Sequence, residues 1–379
     1  MLIIHIITGL DVGGAESMLK RLIESHLGNK TFRHMVISLT TIGKVGQQLQ
    51  ALGIEVQALN MHSPLAFPRA LWQLVRRIRA LRPDIVQTWM YHADFLGGIA
   101  ARLAGNRHVI WGVHSTELKT GEAWTTQLVQ KLCAWISEFV PHTIVCVAEA
   151  AKKAHIRAGY DARRMIVIPN GFDVSRLVAT AEQRAVMRTE CGFGEKDVVI
   201  GSLGRFHAVK DHHNFVRAAT LLANRYPHVR FLLVGRDLVP ANRELARWIT
   251  ETGHPHRFVL LGERADVPVC LAAMDMLCLH SRTEAFPLSV GEAMAMGLPC
   301  VVTDVGDAAV LVKDTGVVVP RENAAALAQG LENLLTMTPA MRQKLGQKAK
   351  ARIYEEFTMD RARQRFEAIY GHLAGNGKH

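Results

Sequence analysis

The chain has 379 residues, 49% apolar and 21% charged, with a formal net charge of +11. That composition excludes a disordered polypeptide, and the length exceeds one ordinary core and fits two domains. The positive balance predicts an anionic partner, whether the phosphates of a nucleotide, a nucleic acid or an anionic membrane surface.

The opening run MLIIHIITGL carries no basic leader and closes at Asp11, so it is expected as a buried first strand, not as a signal peptide or a membrane span. No later segment reaches about eighteen uninterrupted apolar residues. Strand-length apolar runs then alternate with helical patterns. IIHIIT precedes AESMLKRLIESHL, HMVISLT precedes GQQLQALG, and DIVQTWM precedes GGIAARLAG. HVIWGVH precedes WTTQLVQKLCAWISEF, and TIVCVAE precedes AAKKAHIRAG. Nearly continuous Val/Ile/Leu runs, each followed by a helix, predict a parallel sheet covered on both faces.

Between the second and third of these units lies a basic segment. From Val56 to Pro83 there are five arginines (Arg69, Arg76, Arg77, Arg79 and Arg82) and no acid. Leu71, Leu74, Val75, Ile78 and Leu81 recur there at helical spacing, which predicts an amphipathic helix. One face fits packing on a sheet. The other, with Trp72, Arg76, Arg77 and Arg79, fits an anionic bilayer or a lipid pyrophosphate.

After MIVIPNGFD the rhythm weakens through a polar stretch near Val174 to Lys196, then restarts with VVIGSLGRF, VRFLLVGR, RFVLLGE, DMLCLHS, LPCVVTD and TGVVVP. The fold class expected is α/β, with two doubly wound domains facing a central cleft where a ligand would lie. The six cysteines are scattered without a Cys-x-x-Cys pair and mostly sit in apolar runs, as reduced thiols of a cytoplasmic protein would.

Three stretches offer site residues. Gly13 and Gly14 follow the first strand and open a helix, where backbone amides approach an anion closely; they do not form G-x-G-x-x-G, which argues against a nicotinamide cofactor. Arg205 and Lys210 follow a strand in GSLGRFHAVKD and suit a diphosphate, the arginine as a fork and the lysine as a point charge. In SRTEAFPLSVGEAMAMGLPCVV, Glu284 is expected in the exit loop of a strand and Glu292 in a helix stopped by Gly297. One glutamate would take the hydroxyls of a sugar and the other those of a ribose, with the amides of Phe286 to Ser289 turned toward phosphate between them.

Glu284 and Glu292, with seven residues between them, resemble the Glu-x7-Glu signature of family 4 glycosyltransferases, whose fold is GT-B. The resemblance continues through G-G-A-E near the start, I-P-N-G-F-D at 168–173 and G-R-F followed by Lys210, in the expected order along nearly the whole chain. It implies a retaining hexosyltransferase that moves a sugar from a nucleotide diphosphate donor, a UDP-sugar favoured, to a glycan or lipid-linked acceptor of bacterial envelope polysaccharide. No metal and no other cofactor is implied, and the chain has no Asp-x-Asp triplet. By the same resemblance Glu284 would hold the donor sugar, Glu292 the ribose, and Arg205 and Lys210 the leaving diphosphate. Ala285, Phe286, Pro287 and Leu288 would complete the donor site, with Gly13 and Gly14 opposite and His114 beside the transferred sugar. Two domains follow, 1–178 and 179–357, with a final helix at about 358–379 returning to the first. The location implied is the cytoplasm, peripheral on the inner face of the cell membrane.

Ala285 stands where the family often has glycine, and Ala148 where a serine is common. A nucleotide-sugar epimerase of the same fold is the nearest alternative. A sugar phosphorylase would need a pyridoxal lysine motif that the sequence lacks. A protein binding nucleic acid or another anionic polymer would explain the charge, yet aromatics are 6% and no nucleic-acid motif is present.

Overall fold

A computed structural model describes residues 1–116 and 124–375. They form two compact units, residues 1–171 joined by those from Met359 onward, and Phe172–Thr358. The first holds a seven-stranded parallel sheet of β1 (Leu2–Ile7), β2 (Arg33–Ser38), β3 (Glu55–Ala58), β4 (Ile85–Trp89), β5 (Val109–Val113), β6 (Thr143–Cys146) and β7 (Met165–Val167). Its order is β3-β2-β1-β4-β5-β6-β7. The second holds β8 (Val198–Leu203), β9 (Val229–Val234), β10 (Phe258–Leu260), β11 (Met276–Leu279), β12 (Cys300–Thr303) and β13 (Gly316–Val319), ordered β10-β9-β8-β11-β12-β13.

The apolar runs become these strands because both faces of a parallel sheet are buried, so no polar alternation is needed. All five residues of β4 and of β5 are buried. β3 escapes the sequence pattern. It lies at the sheet's edge, pairs only with β2, and buries Val56 alone. In each sheet the strand order reverses beside the first strand, between β1 and β4 and between β8 and β11. Loops leaving the carboxyl ends of those two strands diverge there and open a crevice.

The final helix, Met359–Gly375, packs on the Gly14–Ser25 helix and on β4. Its Tyr370 hydroxyl donates to Gln87 Oε1 at 2.6 Å, and Phe366 lies 6.4 Å from Trp89 between ring centres. Residues 376–379 of the expected helix lie outside the described residues. The passage between units falls after Gly171, not after 178, because Phe172 turns into the second unit. Its N–H donates to Phe357 O at 2.8 Å and its ring lies 6.1 Å from that of Phe286. A Cβ on Gly291 would sit 2.0 Å from Phe172 Cζ. Phe172 and the Glu292 helix therefore meet through one aromatic ring. The polar stretch beyond contains a helix, Ala181–Glu190, started by a capping box of Thr180 and Gln183.

A chain of three histidines runs through the first unit. Trp89 Nε1–H donates to His5 Nδ1 at 3.2 Å, which assigns the His5 proton to Nε2. That proton points to His34 Nδ1 at 2.9 Å, and His34 Nε2–H in turn to His26 Nδ1 at 2.9 Å. His26 Nε2 ends 3.3 Å from Glu367 Oε1 on the final helix. Burial holds all three rings below the usual imidazole range, His34 at about 3. An added proton would face two N–H groups toward each other.

The folded pKa values are depressed, so the stability these rings contribute is fully present above the unfolded value of about 6.5 and is lost as pH falls toward the folded one. Each such histidine should cost about 1.4 kcal/mol per pH unit below that point. The melting temperature should accordingly fall by several degrees between pH 7.5 and 5; a flat profile across that range would show that the rings take up protons as readily in the folded chain as in the unfolded one.

Candidate active site

Strand exits on either side of the second sheet's reversal point carry the charged candidates. Arg205 and Lys210 follow β8, and Glu284 follows its neighbour β11. Lys210 Nζ lies 2.5 Å from Glu284 Oε1, and Ser281 Oγ donates to the same oxygen at 2.6 Å. Arg205 is exposed beside them in sequence, in the loop that leaves β8. The structure thus brings together a cation and an acid that the sequence reading had assigned to different parts of a ligand.

The two exit loops are laced by further bonds. His280, at the end of β11, donates from Nδ1 to Lys210 O at 2.5 Å and accepts at Nε2 from Ser202 Oγ at 2.7 Å. Burial lowers its pKa to about 4, which keeps the ring neutral and both bonds intact at ordinary pH. Arg282 N–H donates to Val209 O at 2.8 Å, and its guanidinium to Asp211 Oδ1 at 3.0 Å. From the far side, Asp307 N–H donates to Ala285 O at 2.9 Å. Gly306, at φ +54°, sits so close that a Cβ would lie 2.3 Å from Glu284 O. Glu284 is therefore held by its side chain, by the adjoining residues and by the pressure of a neighbouring turn. Sequence reading missed His280, Ser281, Arg282 and Gly306, although Ser281 and Arg282 lie within the stretch that drew attention.

The helix after Glu284 runs from Leu288 to Ala295 with Pro287 as N-cap, and Gly297 follows it at φ +81°. Pro287 has no N–H, so the amides at this end are those of Phe286, Leu288 and Ser289. Phe286 is buried against Phe172 and Phe357, so its ring belongs to the core and only its backbone can face a ligand. Glu292 stands in the second turn, half-buried.

The remaining candidates belong to the first unit. Gly13 is the N-cap of the Gly14–Ser25 helix, and a Cβ there would meet the Glu16 carboxylate at 2.3 Å. Gly13 accordingly makes room for an acid that folds back over the first turn; burial raises the pKa of that acid. Gly14 is exposed, with open space around it. His114 leaves β5 and stacks on Trp89, 5.1 Å between ring centres and 28° between planes. Burial lowers its pKa to about 4, leaving a neutral imidazole. The loops of β1, β4 and β5 thus place Gly13, Gly14, Trp89 and His114 at neighbouring strand exits, β1 and β4 flanking that sheet's reversal point. Arg76, Arg77 and Arg79 are exposed on the Phe67–Leu81 helix, away from these strand ends. Among the described residues no group of three or more His, Cys, Asp or Glu is arranged to hold a metal ion.

Two parallel Rossmann-like units with residues of this kind at their reversal points define the GT-B class. Residues 12–176 match the family described as Glycosyltransferase Family 4, and residues 183–352 match that described as Glycosyl transferases group 1. The chain belongs to the family 4 type of glycosyltransferases. It is 30% identical over 252 residues to the UDP-Gal:alpha-D-GlcNAc-diphosphoundecaprenol alpha-1,3-galactosyltransferase of Escherichia coli, covering 65% of this chain and 64% of that one. It is 25% identical over 214 residues to the lipopolysaccharide core biosynthesis mannosyltransferase LpsB of Rhizobium meliloti, covering 55% and 60%. The chain therefore spans less than two thirds of either relative's length. Among solved structures, Anabaena HepE in complex with UDP-glucose superposes with a TM-score of 0.84 at 23% identity, covering 99% of this chain and 100% of that one.

Gly306→Ala should place a side chain in the left-handed region and against the Glu284 carbonyl. We expect a loss of about 1–3 kcal/mol in a denaturant titration, because neither backbone can yield without moving the loop. An unchanged midpoint would mean that the turn tolerates a Cβ and does not hold Glu284.

Proposed function

We propose that the protein is a retaining glycosyltransferase that moves a hexose from a UDP-sugar to a glycan or lipid-linked acceptor of bacterial envelope polysaccharide. The observation that carries this reading is the Lys210–Glu284 pair at the reversal point of the second sheet. Open α/β sheets bind ligands outside their strand ends at that point. A diphosphate entering there would draw the Lys210 ammonium away from Glu284 Oε1, with Arg205 forked onto the same phosphates. The freed carboxylate would then accept hydrogen bonds from sugar hydroxyls, while Glu292 accepts from the ribose. The amides opening the Leu288–Ala295 helix would add positive potential near the phosphates.

In the transfer step the bond from the sugar's anomeric carbon to the diphosphate oxygen breaks, and a bond from the acceptor oxygen forms on the same face. The acceptor proton passes to a diphosphate oxygen. The protein's part is positioning and charge stabilisation, without a metal. The names of the Escherichia coli and Rhizobium relatives support an envelope acceptor, and that galactosyltransferase and HepE support UDP as the donor base. On this reading the reaction takes place in the cytoplasm, at the inner face of the cell membrane.

Release of nucleoside diphosphate from UDP-, GDP- and ADP-sugars tests the reading, with sugar products identified. We expect release from one UDP-sugar, reduced at least about a hundredfold by Glu284→Ala and by Lys210→Ala. An epimerised donor without release would assign the protein to the nucleotide-sugar epimerases. Failure of every donor to bind would remove the site assignment.

A further inference from the structure

A hydrogen-bonded relay crosses three successive strand exits of the first unit. Ser115 leaves β5 next to His114, Tyr91 opens the Tyr91–Leu103 helix after β4, and His155 stands on the Glu149–Arg157 helix after β6. The Tyr91 phenol oxygen lies 2.6 Å from Ser115 Oγ and 2.8 Å from His155 Nε2. Burial declines along this line: His155 and Tyr91 are buried, and Ser115 is only half so.

The direction of each proton follows from the inner end. His155 Nδ1 lies 2.8 Å from Ala151 O, a carbonyl that can only accept, so the ring carries a proton on Nδ1. Burial lowers the His155 pKa, which keeps the ring neutral near pH 7.5 and leaves Nε2 as an acceptor. Tyr91 therefore donates to His155. With the phenol's single proton engaged there, its oxygen accepts from Ser115 Oγ–H and from Gln130 Nε2–H, the latter at 3.4 Å. Cys133 Sγ–H holds the Tyr91 carbonyl at 3.4 Å, and the Tyr160 ring stands edge-on to His155 with 5.0 Å between centres. Ser115 accordingly turns its own proton inward and presents lone pairs outward. Among the described residues no group donates to Ser115 Oγ.

A purely structural tie between strands would have both ends satisfied. This one ends on an open acceptor at the carboxyl edge of the sheet, where Trp89 and His114 also lie and where open α/β sheets take their ligands. We propose that Ser115 recognises a hydroxyl of the acceptor sugar, accepting a hydrogen bond from one O–H, with Tyr91 and His155 as positioning residues that keep the serine proton turned away. The inference rests on the transferase reading in taking a sugar as the ligand. The relay makes the subsite selective by the sense of the hydrogen bond. A ligand group that donates is held, while an atom that can only accept meets lone pair against lone pair. A sugar that loses that one proton is rejected even when its shape is kept.

Titration calorimetry of the UDP-saturated full chain near pH 7.5 tests it, with octyl glucoside, octyl galactoside, octyl N-acetylglucosaminide and their singly deoxyfluorinated analogues. Fluorine has nearly the size of a hydroxyl and cannot donate. One fluorine position should weaken binding of the preferred glycoside by about tenfold or more. Ser115→Ala should weaken the parent glycoside about tenfold and remove the difference between parent and analogue, whereas Ser115→Thr, which keeps the hydroxyl, should restore that difference. Tyr91→Phe frees the serine proton to turn outward, so the gap should narrow to about threefold with UDP affinity unchanged. A glycoside whose affinity and fluorine gap are the same in Ser115→Ala as in wild type overturns the proposal. So does a full gap in Tyr91→Phe, because the relay would then not set the serine proton. A wild type that releases UDP from a UDP-sugar yet binds none of these glycosides overturns it equally, and in all three cases the transferase reading stands. Failure of every nucleotide sugar to bind or turn over removes that reading, and the sugar assigned to Ser115 with it.

Discussion

A parallel sheet cannot leave a face in water, and this one constraint arranges most of the molecule. Every crossover must be long enough to return the chain to the same end, so helices cover both faces and the functional loops collect at the carboxyl ends of the strands. Where strand order reverses, adjacent exit loops turn opposite ways and leave a gap that no helix fills. In the second unit that gap lies between β8 and β11, and it is there that Lys210 and Glu284 meet. The chemistry follows from topology before any particular side chain is considered.

The side chains then make the gap rigid. A flexible lysine and a loop glutamate would ordinarily sample many rotamers, at a cost in entropy each time they came together. Here the lysine's carbonyl is fixed by a neutral His280, the glutamate's carboxylate by Ser281, and the loop between by Arg282 and Gly306. The opposing charges balance one another within a partly covered site, so neither is left desolvated and unpaired. In the first unit the equivalent device is aromatic. Trp89 is oriented by its hydrogen bond to His5 and gives His114 a flat surface to rest on.

The parts of this that sequence could show were the local ones. Strands buried on both faces announce themselves as apolar runs, and Gly297 marks a helix end wherever it occurs. β3 did not, because an edge strand with one buried residue has no run to display. Phe286 read as part of a ligand site, since nothing in its neighbours reveals that Phe172 and Phe357 would close over it. The Lys210–Glu284 contact spans 74 positions and the histidine chain draws on His5, His26 and His34. Pairings of that kind are made by topology and leave no spacing to read.

The Tyr370 to Gln87 hydrogen bond joins residues 283 positions apart. A ribosome making this chain finishes all seven strands of the first sheet, and then the whole of the second unit, before the helix that covers β4 emerges. Throughout that interval Trp89 lacks Phe366, Gln87 lacks Tyr370 and His26 lacks Glu367. The nascent first unit is thus an unfinished core until the Met359–Gly375 helix has been made. The second unit, contiguous from Phe172 to Thr358, has no such dependence and can close as soon as it clears the exit tunnel.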